Sequence, residues 1–275
     1  MKYIIFCFTL LIYSCNSNKG TIKVKGSDTE VNLAVVLAEK FHDKNDSILI
    51  SVSGGGSGLG IASLLNGTAD IANSSRSIND EELQLFKKKN IQLSTFFFAQ
   101  DAIAFVVSDQ LPLDSINTKD LAKILSGDVK NWSSLIKQDI PINIYGRQNN
   151  SGTYEFVKKI LNIHFSANAK QMNGNAQILE SIKADNSGIG YVGAGYVMKG
   201  TTNGIKILKI FTVNSKAVSP LDEEKIASGS YFFQRPLFQY YKTQDYQKVK
   251  PFLDFEKTME GLSIIKSSGY YPVKK

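Results

Sequence analysis

The sequence predicts an α/β protein whose sheets are largely parallel. Short apolar strands alternate with segments whose apolar residues recur at helical spacing, and short polar loops join them. Neither an internal repeat of roughly 20–50 residues nor a linker rich in proline or serine divides the chain. With 275 residues, 43% of them hydrophobic, the chain is long enough for one large domain or two medium ones.

The N-terminus has the pattern of an export signal. An apolar run of ten residues, Tyr3 to Ile12, follows a lysine and is too short to cross a bilayer, which needs ~20 residues. The run ends at Leu11 to Cys15, which resembles a lipobox, the site at which a bacterial lipoprotein is cleaved and lipidated. We expect a signal peptide over 1–14, lipidation of Cys15 and a lipidated tether over 15–20. The alternative is a plain secretory signal with an incidental cysteine.

The first half of the mature chain contains three strand–helix pairs. The strands are expected at Thr21–Lys25, Ile48–Val52 and Asp70–Ala72, and the helices at Thr29–His42, Leu59–Leu65 and Asp80–Lys89. The first strand alternates, and the first helix has apolar residues three or four apart, at Val31, Ala34, Val35, Ala38 and Phe41. Asn66-Gly67 ends the second helix, and Asn79 or Asp80 caps the third.

The second half continues the alternation. The strands are expected at Ala102–Val107, Ile140–Tyr145 and Ile189–Val192, the β-rich stretches at Ile205–Thr212 and Tyr231–Tyr241, and the helices at Thr118–Leu125, Gly152–Asn162 and Glu256–Lys266. The run from Ala102 is wholly apolar, which is typical of a buried strand. Gly127 ends the helix expected over Thr118–Leu125. If there are two lobes, we expect the chain to cross between them near 98–107 and again near 205–212.

Four polar loops follow predicted strands and supply small residues, hydroxyls and accessible backbone N–H groups. They are Gly26–Thr29, Gly54–Gly58, Ser74–Arg76 and Arg147–Thr153. Three of them precede helices, and a helix N-terminus leaves four N–H donors unpaired and carries about +0.5 charge. Glycine lets the backbone approach a ligand. Because such loops meet at the carboxyl ends of the strands in an open α/β sheet, together they predict a site for an oxyanion.

Each loop also has a purely structural interpretation. Ser27 and Glu30 have the spacing of a capping box, the glycine run could be a flexible turn, and Ser151 could be a simple helix cap. The combination of four loops, two with an arginine, favours the anion site over these alternatives.

Other classes of site lack their residues. The glycine run has neither the Lys-Ser/Thr ending of a P-loop nor dinucleotide spacing, and Leu59 stands where a nucleophile elbow needs glycine. The two histidines, His42 and His164, are expected at the surface or in packing, so we predict no metal, cofactor or catalytic triad. Net charge is +7, but only three of the 32 basic residues are arginines, which disfavours nucleic-acid binding.

The motifs resemble one family. Gly26-Ser27-Asp28-Thr29, Gly54 to Gly58 and Gly146 to Tyr154 are similar to segments of the phosphate-binding lipoproteins of bacterial phosphate ABC transporters, the PstS family. Supporting stretches are Asn66–Ala72, Asn131-Trp132 and Gly188–Tyr191. The resemblance covers residues 21–245, and its most specific part is the element that runs from Arg147 to Thr153.

The resemblance implies a two-lobe periplasmic binding protein fold of type II, with a ligand cleft between the lobes. Lobe I would comprise 21–97 plus 207–275, and lobe II 98–206. The implied function is capture of inorganic phosphate and its delivery to an ABC permease by a monomer held at the extracytoplasmic membrane face by its lipid, without enzymatic activity. The alternatives are another oxyanion (sulfate, molybdate or a phosphonate) on the same scaffold and, more distantly, a phosphate-ester hydrolase.

The resemblance also implies the ligands of the anion. They are Ser27, Thr29, Ser57, Arg147, Ser151, Gly152 and Thr153, with Ser75 and Arg76 after the third strand. Many relatives have an aspartate where this chain has Ser75, so we expect Asp28 to replace it as acceptor of the phosphate proton. Asp28 could instead be a helix cap. Arg76 could bind the anion or pair with a carboxylate such as Asp28.

Overall fold

The computed structural model describes residues 20–198 and 203–273, so the predicted signal peptide and Cys15 lie outside the described residues. The strands are β1 Gly20–Gly26, β2 Ile48–Ser53, β3 Ile71–Ser74, β4 Leu93–Ser108, β5 Ser115–Asn117, β6 Asn143–Arg147, β7 Lys170–Met172, β8 Gly188–Gly193, β9 Ile205–Ile207, β10 Lys209–Phe211, β11 Gln234–Lys242 and β12 Tyr271–Pro272. The α-helices are α1 Val31–Lys44, α2 Ser57–Leu65, α3 Asp80–Lys88, α4 Thr118–Ser126, α5 Gly152–Leu161, α6 Asn175–Ala184, α7 Glu223–Ala227, α8 Tyr246–Glu256 and α9 Met259–Ser267.

One continuous sheet runs through the molecule in the order β2-β1-β3-β11-β4-β8-β6-β7. The outer strands of each half are parallel, as predicted, because β1 pairs with β2 and β3, and β6 pairs with β7 and β8. The two central strands run antiparallel to their neighbours. The mixed α/β class is confirmed, and the antiparallel centre distinguishes this sheet from a fully parallel one.

The long strand β4 belongs to both halves of the sheet. It pairs with β11 over Leu93–Ala102 and with β8 over Ile103–Val107, so the chain crosses between the halves within the expected 98–107 segment. The return crossing comes later than the expected 205–212. β9 pairs with Val106–Ser108 of β4, and Ile210 and Phe233 pack in the hydrophobic core of the second half. The chain re-enters the first half only at β11, because the short apolar strands before it pair and pack within the second half.

Helices cover both faces of each half-sheet. In the first half, α1, α8 and α9 cover one face and α2 and α3 the other; in the second, α4 and α5 lie opposite α6. The buried face of α1 includes Leu33 and Leu37, whereas Val35, expected inside, is 39% exposed. Within residues 20–198 and 203–273, no helix combines the length and the apolar character that crossing a membrane requires.

Three parts of the fold differ from the expected elements. β4 begins at Leu93, nine residues before the predicted strand. Helix α6 was not predicted, and α8 contains Pro251, which hides it from helix patterns. The helix expected over Glu256–Lys266 is the end of α8 followed by α9, which Thr258 caps by accepting a hydrogen bond from Gly261 N at 3.1 Å.

Candidate functional site

The four predicted loops meet between the two halves of the sheet. Ser27 Oγ donates to Ser75 Oγ at 3.1 Å, and Ser57 Oγ lies 3.4 Å from Ser75 Oγ. A Cβ atom at Gly152 would lie 2.3 Å from Ser57 Oγ and 2.5 Å from Ser75 Oγ. The loops that precede α1, α2, α3 and α5 therefore place their small polar groups at one buried point.

Two threonines complete this point from opposite sides. Thr29 follows β1 and Thr153 lies in the first turn of α5, and their hydroxyls are 3.0 Å apart. Ser151 is the N-cap of α5 and accepts a hydrogen bond from Thr153 N at 3.2 Å, so its structural interpretation is correct. Most of the ten predicted site residues are buried, namely Ser27, Thr29, Ser57, Ser75, Arg147, Ser151, Gly152 and Thr153.

The glycine run shapes the N-terminus of α2. Gly55 and Gly56 have φ angles of 118° and 98°, which side chains rarely adopt, so glycine is required there. The turn brings Gly58 N within 3.1 Å of the carbonyl of Asn150, whose side chain donates to the carbonyl of Gly55 at 3.1 Å. The N-termini of α2 and α5 consequently face each other across the cleft, which is the arrangement that favours a bound anion.

Arg147 links the two halves through Asp28. Its Nη2 donates to Asp28 Oδ2 and, at 2.9 Å, to the carbonyl of Asn173. The second carboxylate oxygen of Asp28 accepts from Gly55 N at 2.8 Å. Nε and Nη1 of Arg147 are buried and have no hydrogen-bond partner among the described residues. Either nitrogen can donate a charge-assisted hydrogen bond to an oxyanion.

Arg76 pairs with a carboxylate, one of its two expected roles, but the partner is Glu82 rather than Asp28. Its two terminal nitrogens bond to the two carboxylate oxygens of Glu82 at 2.8 and 2.6 Å, and one also bonds to the carbonyl of Ser77. Glu82 is fixed by a capping box with Asn79 at the start of α3, so a ready carboxylate lies next to Arg76. The arginine that pairs with Asp28 is Arg147.

The capping box that the spacing of Ser27 and Glu30 offered as an alternative does not form. Helix α1 begins at Val31, and neither carboxylate oxygen of Glu30 has a partner within residues 20–198 and 203–273. Complete burial raises the pKa of Glu30 well above its ordinary 4.5, which favours the neutral acid. Asp28 is not a helix cap either, since it bonds to Gly55 and Arg147 instead.

Sequence reasoning missed Arg235 and Asp101. Arg235 is 3% exposed and donates to Asp101 Oδ2 from Nε at 3.1 Å and from Nη2 at 2.9 Å. Nη2 also lies 3.1 Å from Thr29 Oγ1 and 3.0 Å from Thr153 Oγ1. Burial raises the pKa of Asp101, and the adjacent guanidinium opposes the shift. The signal in the sequence was a lone arginine inside the apolar β-rich stretch Tyr231–Tyr241.

Metal ligands are not grouped in the part of the chain that the structure describes: no three His, Cys, Asp or Glu side chains there could hold an ion. Both histidines are exposed, as expected. The chemistry of the site is that of hydrogen-bond donation to an anion, from hydroxyls, helix N-termini and guanidinium groups.

Two α/β halves joined by β4 and β11, with donors converging between them, define a two-lobe binding protein of the periplasmic type. Residues 14–256 match a family model described as a PBP superfamily domain. We call the half with β1, β2, β3 and β11 lobe I, and the half with β6, β7 and β8 lobe II.

Comparison with known proteins narrows the class. The chain is 31% identical to the phosphate-binding protein PstS of Staphylococcus aureus, over 90% of this chain and 79% of that one. It is 29% identical to PstS of Borreliella burgdorferi over 99% of both chains, and 31% identical to SphX of Synechococcus elongatus over 89% and 75%. The chain belongs to the PstS family.

Solved structures share the fold. A Clostridium perfringens protein crystallised with bound phosphate matches with a TM-score of 0.83 at 24% identity, over 93% of this chain and 100% of that one. An ABC-type phosphate transport receptor of Vibrio cholerae matches with a TM-score of 0.72 at 24% identity, over 92% and 100%. The two-lobe fold predicted from the sequence is confirmed.

Proposed function

We propose that this protein binds inorganic phosphate between its lobes and delivers it to an ABC permease. One observation carries the proposal: the N-termini of α2 and α5, with Ser57 and Thr153, meet between the lobes, and Arg147 is bonded to Asp28, whose carboxylate also accepts from Gly55 N in the loop before α2. Relatives over nearly the whole chain are named phosphate-binding proteins, which supports the same ligand and a role in binding rather than catalysis.

The charges around the cleft suit an anion that is bound by dipoles and hydrogen bonds. Arg147 and Arg235 each face one carboxylate, Asp28 and Asp101, so these four groups nearly cancel. Glu30 adds little charge because its raised pKa favours the neutral acid. The helix N-termini, each worth about half a positive charge, and the donors on Arg147 that lack partners then stabilise the phosphate.

Asp28 is the proposed acceptor for the phosphate proton. A phosphate monoester has its second pKa near 6, and inorganic phosphate at neutral pH is likewise mainly a dianion that keeps one proton. An ionised carboxylate has about four acceptor positions, and the contacts of Asp28 with Gly55 and Arg147 occupy two of them. Sulfate has no proton to donate, so the same carboxylate would repel it.

The proposed assembly follows from the fold and the N-terminal pattern. Lobe I would comprise the chain up to about residue 102 and again from β11, a later return than the 207–275 expected from the sequence, because residues 205–233 pack with lobe II. A monomer, lipidated at Cys15, would be exported and held at the extracytoplasmic membrane face. Replacing Cys15 with alanine should release the protein from the membrane fraction.

Titration calorimetry on purified full-length protein, freed of phosphate by unfolding and refolding, tests the proposal. We expect tight binding of phosphate and much weaker binding of sulfate, molybdate and methylphosphonate. Stronger binding of one of the other anions would assign the scaffold to that anion. Turnover of a chromogenic phosphate ester would instead indicate a hydrolase.

A further inference from the structure

Arg235 lies where the two lobes join. It occupies the second position of β11 and pairs in register with Asp101 of β4. β4 pairs with β11 up to Ala102 and with lobe II from Ile103 onward, so this arginine sits on the strands about which the lobes would move. None of the four anion loops contains it.

The guanidinium of Arg235 reaches both lobes from this position. Two bonds to Asp101 Oδ2 fix its orientation, and Nη2 contacts the hydroxyl of Thr29 on lobe I and that of Thr153 on lobe II. Its Nη1 is buried and has no hydrogen-bond partner in the described part of the chain. A buried charged donor without an acceptor is costly, so a ligand oxygen at this point would stabilise it.

We propose that Arg235 is a second guanidinium ligand of the anion, supplied by the hinge strands, and that it couples anion binding to closure of the lobes. The inference rests on the proposed phosphate function. The contacts to Thr29 and Thr153 exist together only when the lobes are closed, so an anion that recruits Arg235 stabilises the closed form. Asp101 is a positioning residue, which orients the guanidinium and offsets its buried charge.

The competing explanation is that Arg235 and Asp101 form an ion pair at the hinge that does not contact the anion. Replacing both residues with neutral side chains distinguishes the two explanations. The double variant Arg235→Gln/Asp101→Asn removes both charges and leaves no unpaired buried ion. The single variant Arg235→Lys keeps the charge but loses the planar fork. Lys250→Gln/Asp254→Asn is the control for loss of an ion pair, because these two residues pair with each other within α8 of lobe I.

Phosphate affinity by calorimetry, lobe closure by small-angle scattering and stability without ligand are measured for each variant. We expect both Arg235 variants to lose about 10- to 100-fold in phosphate affinity and to close less completely at saturating phosphate, with the control near wild type. Wild-type affinity and closure in a folded Arg235→Gln/Asp101→Asn protein would overturn the inference. Absence of phosphate binding by the wild type would instead refute the proposed function.

Discussion

At the residue scale, the selectivity of the site depends on Asp28. Replacing it with asparagine keeps an acceptor for Gly55 N but removes the negative charge. We expect Asp28→Asn to bind phosphate more weakly and sulfate less unfavourably. The ratio of the two affinities should fall by at least about tenfold, since discrimination that relies on one hydrogen bond can reach about 10⁴.

Calorimetry with both anions measures this ratio, and the exposed Asp46→Asn variant controls for the change in net charge. If both affinities fall equally and the ratio stays at its wild-type value, Asp28 does not accept the phosphate proton.

Glu256 makes the folded state sensitive to pH. Burial raises the pKa of this carboxyl to about 8, and the hydrogen bond from Gln239 and the charge of Lys257 only partly oppose the shift. Between its ordinary pKa of 4.5 and 8, the folded protein keeps a proton that the unfolded chain has lost. The free energy of unfolding should therefore fall as pH rises through this window, by up to about 1.4 kcal/mol per pH unit from this group.

Urea unfolding of wild type and Glu256→Gln at pH 5, 6, 7 and 8 tests this expectation. The variant should lose much of the slope, and the difference between the two proteins isolates Glu256 from Glu30 and Asp101, which are also buried. The neighbouring, more exposed Glu260→Gln is the control. Parallel pH profiles for wild type and Glu256→Gln would show that the carboxyl titrates near its ordinary value.

At the scale of elements, the first residue of α5, Gly152, must be glycine. A Cβ at Gly152 would meet Ser57 Oγ and Ser75 Oγ, which belong to the other lobe. We expect Gly152→Ala to push the lobes apart and to weaken phosphate binding by at least about tenfold, whereas stability without ligand changes little once the lobes open.

Gly174→Ala is the matched control, because Gly174 precedes α6 with an extended φ of −147° and its Cβ would contact nothing within 4 Å. The phosphate affinity and the unfolding midpoint of the two variants are compared to test this expectation. Equal phosphate affinities would mean that α5 and the serines separate when the anion binds.

The elements also show where sequence reasoning succeeds. Local signals, such as the glycines before α2 and the cap at Ser151, identified the loops that converge, since each signal acts within a few residues. Contacts between residues that are far apart in the sequence could not be predicted from it. Arg235 and Asp101 are 134 residues apart and meet only because β11 lies beside β4. The capping pattern at Ser27 failed because α1 begins only at Val31; the Ser27 hydroxyl accepts from Thr29 N and donates to Ser75 Oγ.

At the scale of the whole molecule, the cleft is held closed by contacts that cross it. Some pass through groups expected to touch the anion, such as Thr29 and Thr153. Others lie at the rim, where Asn150 of lobe II donates to Gly55 of lobe I and accepts, through its carbonyl, from Gly58. The rim contacts allow closure to be weakened without removing a predicted ligand.

We expect Asn150→Ala to release phosphate faster, by about three- to tenfold, because the side-chain bond to Gly55 forms only after the lobes close. The association rate should be nearly unchanged, since the open cleft and its charges are the same. Stopped-flow fluorescence or a coupled phosphate sensor gives both rates. Gln148→Ala is the control, because Gln148 bonds to Asn173 within lobe II. A slower association with unchanged release would place the contribution of Asn150 before closure and would contradict a latch at the rim.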